Sequence, residues 1–265
     1  MNASFKDKVI WITGASSGIG AATARALARE GWHVILVARG RPQLEVVLQS
    51  ITAGGGRATM EAVDAADGAQ VLALADRIRL THGRPDLIVN SAGIGEWKFI
   101  EETPPEEAVA MLAAPYLAAY NTSYAFMEDM LDAGRGVLIH VGSPASRIPW
   151  PGATSYTAVR WALRGLNEAL HQDLAGTGVR TCHVVFGEVT SPYFEHNTVD
   201  REHFPKLASL IPVITPEQCA KVITRTVRRP RREVVYPFML RVYYWFSAVA
   251  PGPTRWLVAR SGRRH

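Results

Sequence analysis

Residues 9–20 read Val9-Ile10-Trp11-Ile12-Thr13-Gly14-Ala15-Ser16-Ser17-Gly18-Ile19-Gly20, and helical spacing continues to Arg29. An unbroken apolar run of this length is what a strand covered on both faces requires. The turn that ends it lacks the Cβ atoms that would hold backbone N–H groups away from a pyrophosphate, and a helix N-terminus behind it favours negative charge. Outward from this unit the same alternation repeats. Trp32–Ala38 is a buried strand followed by a helix over Arg41–Thr52; Arg57–Val63 alternates as a strand before a helix over Ala66–His82. Asp86–Asn90 is a short buried strand, and one long helix is predicted from Pro105 to Leu131. Gly136–Gly142 and Val179–Phe186 are further strands, joined by a helix over Thr154–Ala175. Apolar strands separated by amphipathic helices specify an α/β chain with a doubly wound parallel sheet, three layers α/β/α.

The 265 residues suit one such domain, and 48% hydrophobic with 20% charged content excludes a disordered, collagenous or coiled-coil chain. Charge is divided unevenly. Residues 221–265 hold eleven Lys/Arg against one acid, Glu233, leaving 18 bases and 23 acids for the first 220 residues. A basic tail therefore follows an acidic body. The expected organisation is one catalytic domain over 1–236, with a variable substrate loop at 190–214, and a basic, aromatic tail over 237–265. Cys182 and Cys219 form neither a disulfide framework nor a CxxC metal pair, so no metal is expected and a reducing compartment is. The chain reaches its first strand within eight residues, too few for a signal peptide, and Pro237 and Arg241 interrupt the apolar stretch Val234–Ala250. The expected location is cytoplasmic, with attachment to a membrane surface as an option for the tail.

Nineteen residues past Gly20, where an NAD-binding chain carries an acid for the ribose 2′-hydroxyl, the sequence reads Val37-Ala38-Arg39. Nothing there repels a 2′-phosphate, and Arg39 offers a planar fork to bind one. NADP(H) is the expected cofactor.

The Thr13-Gly14-x-x-x-Gly18-x-Gly20 turn, Asp64 after the third strand, Asn90-Ser91-Ala92-Gly93 after the fourth, and Ser143 thirteen residues before Tyr156 together resemble the short-chain dehydrogenase/reductase family, built on the Rossmann fold. The resemblance runs from residue 8 to about 235. It implies that Gly14, Ser16, Ser17, Gly18, Ile19 and Gly20 cradle the cofactor and that Asp64 contacts its adenine. It implies that Asn90, Ala92 and Gly93 steady the sheet beside it. Gly187, Val189 and Ser191 would lie beside the nicotinamide carboxamide, in a segment where Phe186 replaces the family's usual Pro and Ser191 its usual Thr. Ser143 would hydrogen-bond the substrate oxygen, and Tyr156 would pass it a proton. Chemistry asks for the same pair independently: hydride addition to a carbonyl makes an alkoxide, which needs a donor and a proton source. A phenol of pKa ~10 serves at neutral pH only beside a cation that stabilises its phenolate. One helical turn on, at i+4, stands Arg160.

Two positions depart from the family. Its pattern is Tyr-x-x-x-Lys, and this chain has Tyr156-x-x-x-Arg160. Arg keeps the charge and can reach the nicotinamide ribose, but it does not give up a proton, so a relay through an ammonium is lost. The family's catalytic Asn falls on Pro115, which removes a helix N–H and frees the carbonyl of Met111, so a kink is expected there. Three readings fit these departures: an NADP(H) oxidoreductase with a rerouted relay; a non-redox enzyme similar to the halohydrin dehalogenases, which pair Ser with Tyr-x-x-x-Arg; and a nucleotide-binding sensor without catalysis. Retention of all three glycines speaks against the second, and retention of Ser143 and Tyr156 against the third.

Loops 94–100, 144–155 and 191–210 are expected to face the substrate. They carry Trp97, Phe99, Ile148, Trp150, Tyr193, Phe194 and Phe204, with Glu96 and Lys98 as the charges of the first. An apolar carbonyl or its alcohol is the expected substrate. By the resemblance a homodimer or homotetramer forms through the long helices after the fourth and fifth strands. The tail sets Arg228–Arg232 next to a Tyr/Trp-rich stretch. That composition suits an anionic membrane surface, a lid or a subunit contact, and no nucleic-acid motif accompanies it.

Overall fold

A computed structural model describes residues 8–191 and 206–261. Seven parallel strands form one sheet in the order β3-β2-β1-β4-β5-β6-β7. They are β1 (Val9–Thr13), β2 (His33–Ala38), β3 (Arg57–Ala62), β4 (Leu87–Asn90), β5 (Gly136–Gly142), β6 (Val179–Phe186) and β7 (Glu233–Tyr236). The helices are α1 (Gly18–Arg29), α2 (Arg41–Ala53), α3 (Gly68–His82), α4 (Pro105–Leu112), α5 (Ala118–Asp132), α6 (Thr154–Asp173), α7 (Pro216–Arg228), α8 (Phe238–Val249) and α9 (Pro251–Ser261).

The strands are apolar throughout because alternate residues enter two different cores. Ile10 and Ile12 of β1, with Val34 and Leu36 of β2, pack against Leu27 of α1, Leu44 of α2 and Ile223 of α7. Val9, Trp11, Ile35 and Val37 face the other way, onto Leu74 and Ile78 of α3 and Phe126 of α5. Trp11 meets Phe126 edge-on, with ring centroids 5.1 Å apart.

Strand ends are in register where the sheet reverses direction of growth: Thr13 lies opposite Val37 on one side and Asn90 on the other. Ligands of open parallel sheets bind at this switch point, outside the carboxyl ends of the strands. The Thr13 hydroxyl accepts hydrogen bonds from the amides of Ser91 and Ala92, each at 3.2 Å, and so ties the two loops on either side of the crevice.

The expected long helix is interrupted. Between α4 and α5 the chain makes one π turn, Ala113–Leu117, with Pro115 buried inside it. Proline withholds the amide that would close an α-helical bond to the Met111 carbonyl, and the wider turn is how the helix accommodates the loss. Beyond the substrate loop, α7 begins at Thr215, which with Gln218 forms a capping box behind Pro216. It continues into β7, which completes the sheet beside β6.

The tail is not laid out as its sequence suggests. Arg228–Arg232 precede β7 at the amino end of the strands, where Arg228 pairs with Glu30 and Arg232 with Glu168. The aromatic stretch follows β7, at the opposite edge of the sheet, so a strand separates the arginine run from it. There α8 and α9 bury Leu240, Tyr244 and Val258 against Val185 and Val235.

Candidate active site

One cavity of about 830 Å³ runs along the carboxyl edge of the sheet, from Gly14, Ser16, Ser17, Gly18 and Ile19 to Ser143, Tyr156 and Arg160. Gly14 has φ +66°, and a Cβ there would stand 2.8 Å from the backbone of Ser91 and Ala92. Gly20 lies beneath the turn, where a Cβ would meet the Gly14 carbonyl at 2.2 Å. Both positions therefore exclude any side chain, which lets the turn fold back on α1 and close on β4. Ser17 is the N-cap of α1, and its side chain makes no capping bond. The first-turn amides of α1 thus stand at the cavity wall without a side-chain acceptor, an arrangement suited to a phosphate.

Further along, the wall is formed by Arg39 at the end of β2 and by Asp64 after β3. Arg39 is exposed. The Asp64 carboxylate accepts from the Ala66 amide at 2.9 Å, which fixes its direction. Ala92 and Gly93 line the cavity, as does Ser91. Asn90 lies behind this wall, buried, with its amide 3.2 Å from Nδ1 of His140 on β5. Burial, and then His183, push the His140 pKa down to about 3, which keeps the ring neutral and able to accept from Asn90. Gly187, Val189 and Ser191 also line the cavity. Their segment is anchored by a bridge from Val189 to Ile214, and Ser191 packs 3.4 Å from where a Cβ of Gly18 would sit.

At the other end, α6 presents Tyr156 and Arg160 one turn apart. Both are buried, and the guanidinium carbon stands 4.9 Å from the Tyr156 ring centre. The longer side chain needs room, and Gly93 supplies it: a Cβ there would lie 3.1 Å from Nη2 of Arg160. Ser143 closes β5, and its hydroxyl accepts from the Ala145 amide at 3.3 Å, which orients it at the cavity edge. Ala110, Ala113, Ala114 and Ala118, on α4, the π turn and α5, pass beside the cavity with only methyl groups to obstruct it.

The remaining walls are apolar. Trp97 and Trp150 flank Tyr156, with ring centroids 6.0 and 6.1 Å from its own. Ile148 joins them, whereas Phe99 is not part of the wall. Lys98 is held by Glu107 at 2.8 Å and Glu96 at 3.0 Å, so the charges of the first loop neutralise one another. Bonds to Glu107 and then Glu96 raise the Lys98 pKa. Tyr193, Phe194 and Phe204 lie outside the described residues. Sequence reasoning missed Ile211, Leu240, Tyr243 and Val258, which complete the wall from segments far along the chain. The only advance signal was the i, i+4 pair Leu240 and Tyr244, which marks an inner face of α8. Cys182 and Cys219 are buried, and burial pushes both thiols up to about 12, so neither is a nucleophile.

A parallel sheet with a glycine cradle at its switch point and a Ser/Tyr pair at the far end of the same cavity defines a nucleotide-binding oxidoreductase fold. The family model for short chain dehydrogenases matches residues 8–202, and the chain belongs to that family. It is 31% identical over 229 residues to "Uncharacterized oxidoreductase Lmo0432" of Listeria monocytogenes, covering 85% of this chain and 92% of that protein. Among solved structures it resembles a metagenomic short-chain oxidoreductase in complex with NADP, with a TM-score of 0.75 and 31% identity over 88% of this chain and 98% of the other. A short chain dehydrogenase from Mycobacterium paratuberculosis bound to NAD shares the fold, with a TM-score of 0.78 and 24% identity over 88% and 97% of the two chains.

Proposed function

We propose that this protein is an NADP(H)-dependent oxidoreductase that interconverts an apolar ketone or aldehyde and its alcohol. The observation that carries the reading is convergence: Ser143, Tyr156 and Arg160 open onto the same cavity as the glycine turn. The residues present fit the cofactor. Side-chain-free backbone at Gly14 and Gly18 and the N-terminus of α1 suit its phosphates, Asp64 its adenine, and Gly187, Val189 and Ser191 its carboxamide. Arg39 supplies a fork for a 2′-phosphate, with no acid in the acceptor position beside it, and this favours NADP(H) over NAD(H). When bound, the cofactor donates or takes up the hydride.

The chain's own residues do the rest. Ser143 donates a hydrogen bond to the substrate oxygen and fixes the carbonyl. Tyr156 gives its phenolic proton to that oxygen during reduction and accepts it during oxidation. Arg160 keeps a permanent positive charge against the Tyr156 ring and stabilises the phenolate that remains. Trp97, Ile148 and Trp150 exclude water and select an apolar substrate. Arginine does not pass the proton on, so Tyr156 is reprotonated by a route other than the i+4 side chain.

In this reading residues 1–236 are the catalytic domain, 190–214 the substrate loop and 237–265 a tail that contributes Leu240, Tyr243 and Val258 to the cavity wall. The protein works in the cytoplasm as a homodimer or homotetramer. A stripe on α5 and the neighbouring turn supports pairing: Tyr116, Tyr120 and Tyr124 follow one another at i, i+4 and i+8, Tyr120 stacks on Tyr124, and Tyr120, Tyr124 and Trp161 of α6 are exposed. The test is NADPH consumption across a panel of apolar aldehydes and ketones, comparing wild type with Tyr156→Phe. Loss of the general acid should cost about 10²–10⁴-fold in kcat while NADPH binding persists. Full turnover by Tyr156→Phe, or halohydrin turnover without nicotinamide, would refute the assignment.

A further inference from the structure

Helix α8 is apolar on two sides. Leu240 and Tyr244 point into the molecule and are buried. Phe238, Val242, Trp245 and Val249, at i, i+4, i+7 and i+11, form a second stripe and are exposed, Phe238 and Trp245 by 67% and 65%. Met239 and Phe246 widen it, and Trp256 and Leu257 are exposed on the adjoining α9. Contiguous apolar surface of this kind marks an interaction site. At 12 residues α8 is about 18 Å long, well short of a bilayer's hydrocarbon core. Among the described residues no helix is long and apolar enough to cross a membrane.

Charge decides what covers the face. Between Val234 and Ser261 there is no Asp or Glu, while Arg241, Arg255 and Arg260 are exposed on the same two helices. Arg260 lies over the Trp256 ring, 5.1 Å from its centre. A two-fold contact through this face would press one arginine-bearing surface that lacks acids against another. An anionic lipid surface supplies both the missing negative charge and an apolar layer, and exposed tryptophans beside arginines suit its headgroup boundary.

The inner side of the same helices gives this surface a purpose. Leu240 and Tyr243 of α8 and Val258 of α9 are part of the wall of the substrate cavity. We propose that α8 and α9 form a docking face for an anionic bilayer and that the cavity they wall takes its apolar carbonyl substrate from that bilayer. The second half rests on the oxidoreductase reading above; the first does not.

The test uses the full chain with NADPH and vesicles of phosphatidylcholine with or without phosphatidylglycerol. Binding is read by co-sedimentation, which needs no turnover and so separates failure of this proposal from failure of the redox reading. Wild type should sediment with the anionic vesicles and be released by high salt. Arg255→Gln combined with Arg260→Gln should bind about 25-fold more weakly, at roughly fivefold per charge. Trp245→Ser combined with Phe246→Ser should not bind at all. Both sets replace exposed side chains, and an unchanged melting temperature confirms folding. Absence of sedimentation of folded wild type overturns the proposal, whether or not it binds NADPH. So does wild-type self-association that Trp245→Ser/Phe246→Ser abolishes in the absence of vesicle binding, which would assign the face to a second copy. With a long-chain ketone carried in the vesicles, the arginine variant should lose turnover in step with binding, yet turn over a short, water-soluble ketone like wild type. Equal loss on both ketones, or loss on neither, overturns delivery from the bilayer.

Discussion

Replacing Gly14 by alanine separates two costs that a glycine can carry. Its φ of +66° is in the left-handed region, where an L-residue pays about 1–2 kcal/mol. In addition, the new Cβ would stand 2.8 Å from the Ser91 carbonyl oxygen and the Ala92 amide nitrogen, so this loop must retreat. Those residues are held by the Thr13 hydroxyl, which accepts both amides at 3.2 Å. Retreat stretches two hydrogen bonds, each worth about 1 kcal/mol. The total is about 3–4 kcal/mol. Gly55 is the matched control: its φ is +76°, but a Cβ there meets nothing within 4 Å. Gly55→Ala should therefore cost only the backbone component, about 1–2 kcal/mol. Thermal unfolding is the assay. For a chain of this size Gly14→Ala should lower Tm by about 10 °C and Gly55→Ala by about 4 °C. NADPH titration of folded Gly14→Ala should show weakened binding, since the turn and the 91–93 loop share the cavity wall. Equal Tm shifts for the two variants would refute the claim that close approach of β1 and β4, rather than φ alone, demands glycine at position 14.

Arg39→Ala should weaken NADPH binding about tenfold, the lower end for a hydrogen bond to a charged group because Arg39 is exposed, and leave NADH binding unchanged; parallel fluorescence titrations read both. Acid stability should depend on His33, which bonds Thr59 at 3.0 Å and lies with its ring centre 4.3 Å from that of His82, tilted by 55°. Burial, then the charges of His82 and Arg57, hold His33 at about 4, below its unfolded value of 6.5. Between those values the unfolded chain binds a proton that the fold refuses, so stability falls as pH drops from about 6.5 to about 4. Urea unfolding across that window should show a shallower fall for His33→Gln, and an unchanged slope would remove His33 from the acid response.

Much of the cavity's lining could be read from the sequence because its parts are local. The glycine turn, Asp64, Ser143 and the Tyr156/Arg160 pair each sit at a strand end or on one helix face, where spacing alone fixes direction. A disturbance at Pro115, found as the π turn Ala113–Leu117, was legible for the same reason, since a missing amide acts on its own helix. Thr215-Pro216-Glu217-Gln218 is equally local, a cap that announces α7, yet it lies beyond the variable loop and no apolar strand precedes it to draw attention.

What the sequence by itself determined was the alternation of strands and helices from β1 to β6 and the switch-point crevice at their carboxyl ends, because strand and helix periods set which side chains share a face, whereas β7 and α7 to α9 were not read from it. What only the tertiary structure decided was how distant segments meet. Adjacent letters suggested one arginine-aromatic unit at the tail, but β7 carries the chain across the sheet between Arg232 and Phe238, so the two halves act at opposite edges. Gly93 beside Arg160, His140 behind Asn90, and Leu240, Tyr243 and Val258 in the cavity wall are contacts between residues dozens of positions apart. Such contacts follow from how the layers pack, and no period along the chain encodes them.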